Sequence, residues 1–378
     1  MFKNLRIKNF RIFEHIEFAK LSHVNLLAGR NNVGKTTLLE AILLFAKLGS
    51  PAIIINILRN RDLLISENPQ KPFINIPVQH LFPNSQFPTA GQSLYIGDSE
   101  KREYIDIKHT FYKLNEIIPH KDIIQSEEMV FYTPQYREIE PDNESYKTLG
   151  VPEKQKLKIN YFKDGVIVKP PYSFKFAAFN SQYFDEVIDP IAYPVAYVPT
   201  NVLSLNYLSG IWDDAILSGD KSEVIQMLKL IEPSVEDVNF IKSQIDNERT
   251  AIVKLEGQRE HLPLKSLGEG MSRLLQLVLS LVQAKNGFLL IDEFENGLHY
   301  SVQPKVWNML FTLAKKLNVQ IFATTHSKDT VESFGKIWKQ YEEDGSFHRL
   351  SRESEQIEAV AYECTTLDYA LTGDIEVR

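Results

Sequence analysis

The sequence predicts an α/β protein, on the basis of three short apolar segments that alternate with segments of helical spacing. Val24–Ala28 precedes a glycine-containing loop, after which apolar residues recur at the spacing of a helix. Gly287–Ile291 is an apolar segment that ends at two carboxylates. Val319–Thr325 ends at a histidine, and one helical segment separates it from the segment before it. Strands and helices that alternate in this way are typical of the α/β class.

The loop after the first apolar segment has the residue types of a phosphate-binding loop. Residues 29–37 match the pattern G-x-x-x-x-G-K-[ST], and the flanking strand and helix argue against a chance lysine in a glycine-containing loop. Gly29 and Gly34 allow a tight turn that points backbone N–H groups at phosphate oxygens. Lys35 is expected to reach the β- and γ-phosphates, and the Thr36 hydroxyl to ligate Mg²⁺. The predicted nucleotide-binding residues of the loop are Gly29, Asn31, Asn32, Val33, Gly34, Lys35, Thr36 and Thr37.

Two carboxylates follow the second apolar segment. Asp292 is predicted to hold Mg²⁺, directly or through water, and Glu293 to polarise the attacking water. The alternative is a buried strand that ends at a turn with two acidic residues. The phosphate loop elsewhere in the chain favours the catalytic interpretation, in which Glu293 and Lys35 act on the substrate.

The composition narrows the class of protein and its location. No run of eighteen apolar residues exists, so we expect no membrane span, and the first residues lack the apolar segment of a signal peptide. Cys364 is the only cysteine, which excludes an intrachain disulfide and a cysteine-cluster metal site. These features predict a cytoplasmic protein. The net charge of −7 argues against an extensive basic surface for nucleic acid, but leaves room for a local basic patch.

We expect four segments along the 378 residues. Residues 1–92 form the N-terminal part of the nucleotide-binding core, with the phosphate loop. Residues 93–200 form a β-rich insertion, and residues 201–286 form a helical lobe. Residues 287–378 form the C-terminal part of the core. The catalytic core is thus expected to consist of the two ends of the chain.

Local patterns predict several elements within these segments. Residues 2–19 alternate in part and indicate a β-hairpin, whereas residues 50–88 are rich in proline and indicate loops with one or two short elements. An Asp164–Gly165 pair between two alternating runs predicts a tight hairpin turn. Residues 203–232 have helical spacing, and residues 251–255 are typical of a strand.

Five motifs resemble, in their order along the chain, those of the RecF/SMC/OLD-like AAA ATPases, which are ABC-type ATPase heads. They are Lys8–Arg11, Gly29–Thr37, Ser266–Gly270, Leu290–His299 and Ala323–Ser327. The motifs cover residues 1–50 and about 260–335, whereas the middle of the chain is similar only in order and length. The resemblance implies an ABC-type P-loop NTPase core with a β-rich N-terminal subdomain or insertion and a helical lobe.

The resemblance also implies roles for residues outside the phosphate loop. In ABC-type ATPases the segment that Ser266, Gly268 and Gly270 occupy binds the γ-phosphate held by a second protomer. Ser266 and Glu269 also have the spacing of a capping box, so ordinary helix capping is the alternative. His326 is similar in position to the switch histidine that contacts the γ-phosphate, although histidines at strand ends often serve structure alone. Candidates for the Mg²⁺-sensing glutamine are Gln79, Gln86 and Gln92.

The partners implied by the resemblance are a second protomer and a separate effector. ATP would lie at a two-fold interface of a homodimer or a higher homo-oligomer. Similar ATPases occur in OLD nucleases and in two-gene anti-phage systems such as PARIS, with a TOPRIM nuclease fused behind the ATPase or encoded beside it. Because about fifty residues follow His326, we expect a TOPRIM-like nuclease only as a separate chain. The first hypothesis is an ATPase that gates such an effector in bacterial defence.

Two further hypotheses belong to other classes. A RecF-like ATPase of DNA repair would bind DNA directly, in a salt-sensitive manner that strengthens with ATP. The acidic net charge and the lack of coiled-coil arms favour the first hypothesis over this one. A P-loop kinase is the third hypothesis, but Ser266–Gly270 and His326 have no role in it.

Overall fold

A computed structural model shows two compact units in the chain. Unit 1 comprises residues 1–6, 16–47 and 191–378, and unit 2 comprises residues 7–15 and 48–190. The residues that the structure describes are 1–64, 76–88, 92–124, 127–139, 155–168, 172–175, 193–242, 249–354, 356–373 and 375–377.

Eight helices are present in the described ranges. They are α1 (Lys35–Ala46), α2 (Pro51–Arg59), α3 (Leu205–Leu217), α4 (Lys221–Ile231), α5 (Glu269–Gln283), α6 (Gln303–Lys316), α7 (Lys328–Trp338) and α8 (Cys364–Thr372). In this part of the chain, no helix combines the length and the apolar character that crossing a membrane requires.

The same ranges contain seventeen strands. Those before the middle of the chain are β1 (Leu5–Phe10), β2 (Phe13–Phe18), β3 (Val24–Gly29), β4 (Leu94–Gly97), β5 (Glu103–Ile124), β6 (Glu127–Ile139), β7 (Gln155–Lys163), β8 (Val166–Ile167) and β9 (Tyr172–Lys175). Those after it are β10 (Val195–Val198), β11 (Val235–Lys242), β12 (Arg249–Leu255), β13 (Leu262–Pro263), β14 (Phe288–Ile291), β15 (Gln320–Thr325), β16 (Gly345–Glu353) and β17 (Gln356–Tyr362).

A six-stranded sheet forms the centre of unit 1, in the order β10-β14-β15-β3-β16-β17. The first five strands are parallel, and β17 is antiparallel to β16. Every residue of β3, β14 and β15 is buried, as expected for strands covered on both faces. Because the strands are parallel, the segments after β3, β14 and β15 meet at one edge of the sheet. The α/β class predicted from the sequence is confirmed.

Helices and a small second sheet complete unit 1. The buried apolar residues of α5, α6 and α7 belong to one core cluster with β3, β14 and β15. A three-stranded antiparallel sheet, β11-β12-β13, packs its buried residues Val235, Val238 and Val253 into the same cluster. The predicted helical lobe therefore contains α3, α4 and α5 together with this sheet, in which β12 confirms the strand predicted at residues 251–255.

Unit 2 is built on an antiparallel sheet in the order β2-β1-β4-β5-β7-β8, with β6 beside β5 and β9 beside β7. The hairpin of β1 and β2 confirms the prediction for residues 2–19 and is divided between the two units. Asp164 and Gly165 have φ of 50° and 78°, the pair of positive values that a type I′ turn requires. The predicted hairpin of β7 and β8 is therefore confirmed.

The proline-rich stretch of residues 50–88 contains a short helix, in keeping with the one or two short elements predicted there. Residues 51–59 form α2, which begins with Pro51 in its first turn. Proline is favourable there, because the N–H it lacks has no acceptor within the helix. The boundaries of the four predicted segments stay a prediction, since the contacts of the structure divide the chain at other positions, near residues 48 and 190.

The segment that follows β14 is held in place by stacked aromatic rings. Phe294 is fully buried, and its ring stacks on that of Trp307 in α6 with 3.8 Å between centroids. Trp307 Nε1 also donates a hydrogen bond of 3.2 Å to Ser333 Oγ in α7. This contact fixes the backbone next to Glu293.

We expect Trp307→Ala to lower the free energy of unfolding by about 3–5 kcal/mol, because it leaves a large cavity beside Phe294. Urea-induced unfolding followed by circular dichroism measures the loss. Trp307→Phe is the matched control and should lose less, since it retains a stacked ring. Unfolding of Trp307→Ala at the same urea concentration as the parent would contradict this account of the packing.

Candidate functional site

The phosphate loop joins β3 to α1 at the carboxyl edge of the sheet. Gly29 has no room for a side chain, because a Cβ there would lie 2.7 Å from the Leu350 carbonyl oxygen and 2.8 Å from Val33 Cγ2. Asn32 and Gly34 have φ of 65° and 93°, so the loop turns twice through the left-handed region. The helix then starts at once, and by helix geometry its first N–H groups have no acceptor within the helix. Such a loop can bind an anion.

Lys35 lies folded into the loop. Its side chain is 7 % exposed, and Nζ donates hydrogen bonds to the carbonyl oxygens of Gly29 at 2.6 Å and Arg30 at 2.8 Å. Burial lowers the pKa of Lys35, while the nearby carboxylates of Glu293, Glu295 and Asp292 oppose that shift. The three carboxylates thus favour the charged ammonium that phosphate binding needs.

Asp292 is the point at which the two halves of the predicted site meet. Its carboxylate accepts hydrogen bonds from the hydroxyl groups of Thr36 at 3.0 Å, Thr324 at 2.7 Å and Tyr197 at 3.3 Å. These residues belong to α1, β15 and β10, respectively. The predicted pair of Mg²⁺ ligands, Thr36 and Asp292, therefore lies together, although 256 residues separate them in sequence.

Glu293 has an unusual backbone and a fixed side chain. Its φ is 48°, in the left-handed region that residues other than glycine seldom adopt. The backbone N–H donates to Thr324 Oγ1 at 2.9 Å, and Oε2 accepts a bond of 2.9 Å from Asn296 Nδ2. Strained positions of this kind cluster at functional sites, so this conformation supports a role for Glu293 beyond packing.

His326 follows β15 and lies beside two acidic residues. Its Nδ1 is 3.4 Å from Glu293 Oε1 and 3.2 Å from Glu295 Oε1. Glu295 Oε1 also accepts a 3.0 Å hydrogen bond from the His326 backbone N–H. Glu295 thus orients His326 toward Glu293. The sequence patterns did not predict this role of Glu295.

The predicted residues at the start of α5, Ser266, Gly268 and Gly270, have neighbours outside the phosphate loop. Ser266 Oγ donates to the Pro263 carbonyl at 2.6 Å, and a Cβ on Gly270 would lie 3.4 Å from the Gly297 carbonyl oxygen. Gly268 is the N-cap residue of α5, with φ of 94° and open space around its Cα. Ser266 makes no capping bond to the helix. The capping-box alternative is therefore wrong, because a short 3-10 turn at residues 264–267 places Ser266 ahead of the helix start.

Arg273 is a further residue of the site that the sequence analysis missed. It lies in α5 at 2 % exposure and donates to the carbonyl oxygens of Pro199 at 2.8 Å and Asp292 at 3.4 Å. Burial lowers the pKa of Arg273 to about 10, against the opposing effect of Asp292 and Glu295. The sequence signal for its burial is helical spacing, since Arg273 lies four residues before Leu277 on the apolar face of α5.

The remaining predicted residues divide between the units. Asn31 and Asn32 are exposed in the loop, Val33 is buried beneath it, and Thr37 is buried in the first turn of α1. The three candidate glutamines belong to unit 2. The choice among Gln79, Gln86 and Gln92 stays a prediction.

The donor set of the site suits Mg²⁺. Thr36 offers a hydroxyl oxygen and Asp292 a carboxylate oxygen, and Mg²⁺ is commonly bound by one or two protein oxygens together with substrate phosphates. Among the described residues, no three His, Cys, Asp or Glu side chains form a cluster that could hold a metal ion without a substrate.

The relatives found by comparison with known proteins match this chain over very different lengths, and two of them are described here. An "ATP/GTP phosphatase" of Helicobacter pylori is 24% identical over 359 residues, which cover 89% of this chain and 88% of that protein. The uncharacterized protein MJECL10 of Methanocaldococcus jannaschii is 41% identical over 61 residues, 16% of this chain and 27% of that protein.

Similar solved structures include two SMC heads. The SMC head domain from Thermotoga maritima matches with a TM-score of 0.43 at 13% identity, covering 96% of this chain and 98% of that one. The Pyrococcus furiosus Smc head domain bound to the C-terminal domain of ScpA matches with a TM-score of 0.44 at 11% identity, covering 98% of each chain.

A family model spans most of the chain. The model described as "AAA domain, putative AbiEii toxin, Type IV TA system" matches residues 24–332, from the first residue of β3 into α7. That range contains both the phosphate loop and the segments that follow β14 and β15. The chain belongs to this AAA-domain family and is an ATPase.

Proposed function

We propose that ATP and Mg²⁺ bind at the carboxyl edge of the six-stranded sheet and that Glu293 directs hydrolysis there. The observation that carries the proposal is the 3.0 Å hydrogen bond between Thr36 and Asp292, which joins the phosphate loop to the Asp-Glu pair. Lys35 directly precedes Thr36 in the sequence, and Glu293 directly follows Asp292. The name of the Helicobacter pylori relative, an ATP/GTP phosphatase, supports the same chemistry.

Thr36 and Asp292 would hold Mg²⁺, which neutralises charge on the phosphates when bound. Lys35 would bind the β- and γ-phosphate oxygens in exchange for its present carbonyl partners, Gly29 and Arg30. Both interactions place the γ-phosphate at the edge of the sheet where Glu293 lies. The N-terminus of α1 adds a partial positive charge there.

Glu293 would orient a water molecule and accept its proton as the water oxygen bonds to the γ-phosphorus. The bond from the γ-phosphorus to the bridging oxygen then breaks, and ADP and phosphate form. Asn296 holds one oxygen of the Glu293 carboxylate, which leaves Oε1, on the His326 side, for the water. His326 would contact the γ-phosphate, with Glu295 fixing the ring.

We further propose that two protomers enclose ATP, with Ser266, Gly268 and Gly270 of one facing the phosphate loop of the other. Within one chain these residues contact Pro263 and Gly297 instead. Ser266 and Gly268 are exposed, and the open space around Gly268 would admit a phosphate from a second protomer.

The output of the ATPase, in our proposal, passes to a separate effector in anti-phage defence, of the TOPRIM-like nuclease class. The similarity of the motifs to OLD-type ATPases supports this role. Gating requires that the effector bind the ATP and ADP states with different affinity.

Glu293→Gln should retain ATP binding but slow hydrolysis by about 10²-fold or more, because a general base contributes on that scale. Lys35→Ala should lose ATP binding itself. Phosphate release and binding of a fluorescent ATP analogue measure the two effects. Glu358→Gln, an exposed glutamate in β17, is the matched control and should behave as the parent. Hydrolysis at the parental rate by Glu293→Gln would refute the catalytic assignment.

Mixing Lys35→Ala protein with Gly268→Arg protein should restore part of the ATPase activity. One of the two composite sites in a mixed dimer then combines an intact phosphate loop with an intact Ser266–Gly270 segment. Because Gly268 has a positive φ, Ser266→Arg serves as a second variant without backbone strain. If mixed dimers form but hydrolyse no more ATP than either variant alone, the shared site is disproved.

Effector gating is tested by co-expressing the protein with the product of its neighbouring gene. We expect co-purification whose yield differs between ATP, ADP and no nucleotide. With ATP present, the Glu293→Gln variant should keep the co-purification yield of the ATP state for longer than the parent does. Equal yields in all three conditions would contradict gating by this ATPase.

A further inference from the structure

A cavity of about 540 Å³ lies in unit 1 between the helical lobe and the segment that follows Glu293. Its walls come from the end of α4 and the turn after it, the end of β12, the residue before Gly268, the first two turns of α5, the turn between β14 and α6, and the first turn of α6. This volume is within the range of small-molecule sites, roughly 300–1,000 Å³.

The interior of this cavity is apolar. Met271, Leu274 and Leu298 are each at most 6 % exposed and form its wall together with Ile231 at 7 %. Such a wall would stabilise the apolar body of a ligand by removing it from water. The cavity is therefore suited to an apolar group, provided that its polar rim also finds partners.

The polar groups of the rim leave positive charge available. The Glu232 carboxylate already accepts hydrogen bonds from Ser234 Oγ at 2.6 Å and Ser234 N–H at 3.3 Å. Within the described ranges, Lys305 Nζ has no hydrogen-bond or ion-pair partner, and His299 contacts Ser301 Oγ through Nδ1 at 2.8 Å, with no hydrogen bond to its Nε2. The rim can thus donate hydrogen bonds to an anion from two side chains.

We propose that this cavity binds a small amphipathic anion, with its apolar body against Met271, Leu274 and Leu298 and its anionic group at Lys305 and His299. A carboxylate, a sulfonate or a phosphate would each satisfy the rim, because all three present anionic oxygens to N–H donors. The apolar wall selects against ATP and other strongly polar anions.

The position of the cavity links its occupant to hydrolysis, a step that rests on the function proposed above. Gly270 in the first turn of α5 lines the cavity, as does Gly297, four residues after Glu293. The two backbones lie close together, since a Cβ on Gly270 would be 3.4 Å from the Gly297 oxygen. A ligand that holds these walls apart or together would change the rate of ATP hydrolysis.

The binding site is tested with anilinonaphthalene sulfonate, a fluorescent amphipathic anion, in the absence of nucleotide. The parent should bind one molecule with saturable fluorescence. Lys305→Glu should weaken binding by about fivefold or more, on the scale of one partly exposed charge pair. Val302→Trp, which fills the cavity, should abolish it. Lys336→Glu, an exposed lysine of α7 outside the cavity, is the matched control and should bind as the parent does.

Ser234→Phe fills the cavity from another wall and replaces Val302→Trp if that variant unfolds at a lower temperature than the parent. Saturable binding that neither the filling variant nor Lys305→Glu changes would overturn the site, as would the absence of binding to the parent. Competition by decanoate and by dodecyl phosphate then distinguishes a carboxylate from a phosphate head group.

Hydrolysis is measured separately in the parent with saturating decanoate. We expect a change in rate of about twofold or more, which is absent in Val302→Trp. Binding without a change in rate would refute the coupling to hydrolysis. An inactive parent that still binds the probe would refute the ATPase proposal alone, because the fluorescence titration needs no nucleotide.

Discussion

The arrangement of the site depends on the hydrogen bonds that converge on the Asp292 carboxylate. Three hydroxyl groups, from Thr36, Thr324 and Tyr197, donate to its two oxygens. A buried carboxylate at 6 % exposure needs such donors, because an unpaired charge there would be strongly destabilising. The same bonds hold the phosphate loop, β15 and β10 at one edge of the sheet, so the requirement of one carboxylate positions the rest of the candidate site.

Sequence patterns predicted the parts of the site that a short motif defines. The phosphate loop could be predicted because Gly29 and Gly34 meet backbone constraints that other residues fail, and β14 and β15 because their apolar runs end in polar residues. Glu295 and Arg273 could not be predicted in this way. Their partners, His326 and the Asp292 carbonyl, come from other elements of the fold. The helical spacing of Arg273 indicates its burial but does not specify its partner.

Buried polar residues in the strands show the same limit of sequence reasoning. Asn25, the second residue of β3, bonds Ser22, Ile321 and Ser346 and is fully buried. Gln320, at the start of β15, bonds both backbone groups of Phe2. In sequence each is a polar interruption of an apolar run. Their acceptors and donors become apparent only when distant segments are paired, since burial without such partners would be costly.

The central strand of unit 1 has a consequence for synthesis of the protein on the ribosome. The strand β3 is made early, but its neighbours are β15 and β16, and Asn25 bonds residues 296 and 321 positions later. At about 5–20 residues per second, the strand waits roughly 15–60 s for its first partner. During that interval an apolar segment has both edges unpaired, which is the condition under which chaperones bind nascent chains and aggregation begins. An order of strands that divides the core between the two ends of the chain therefore leaves the edges of β3 unpaired for most of translation.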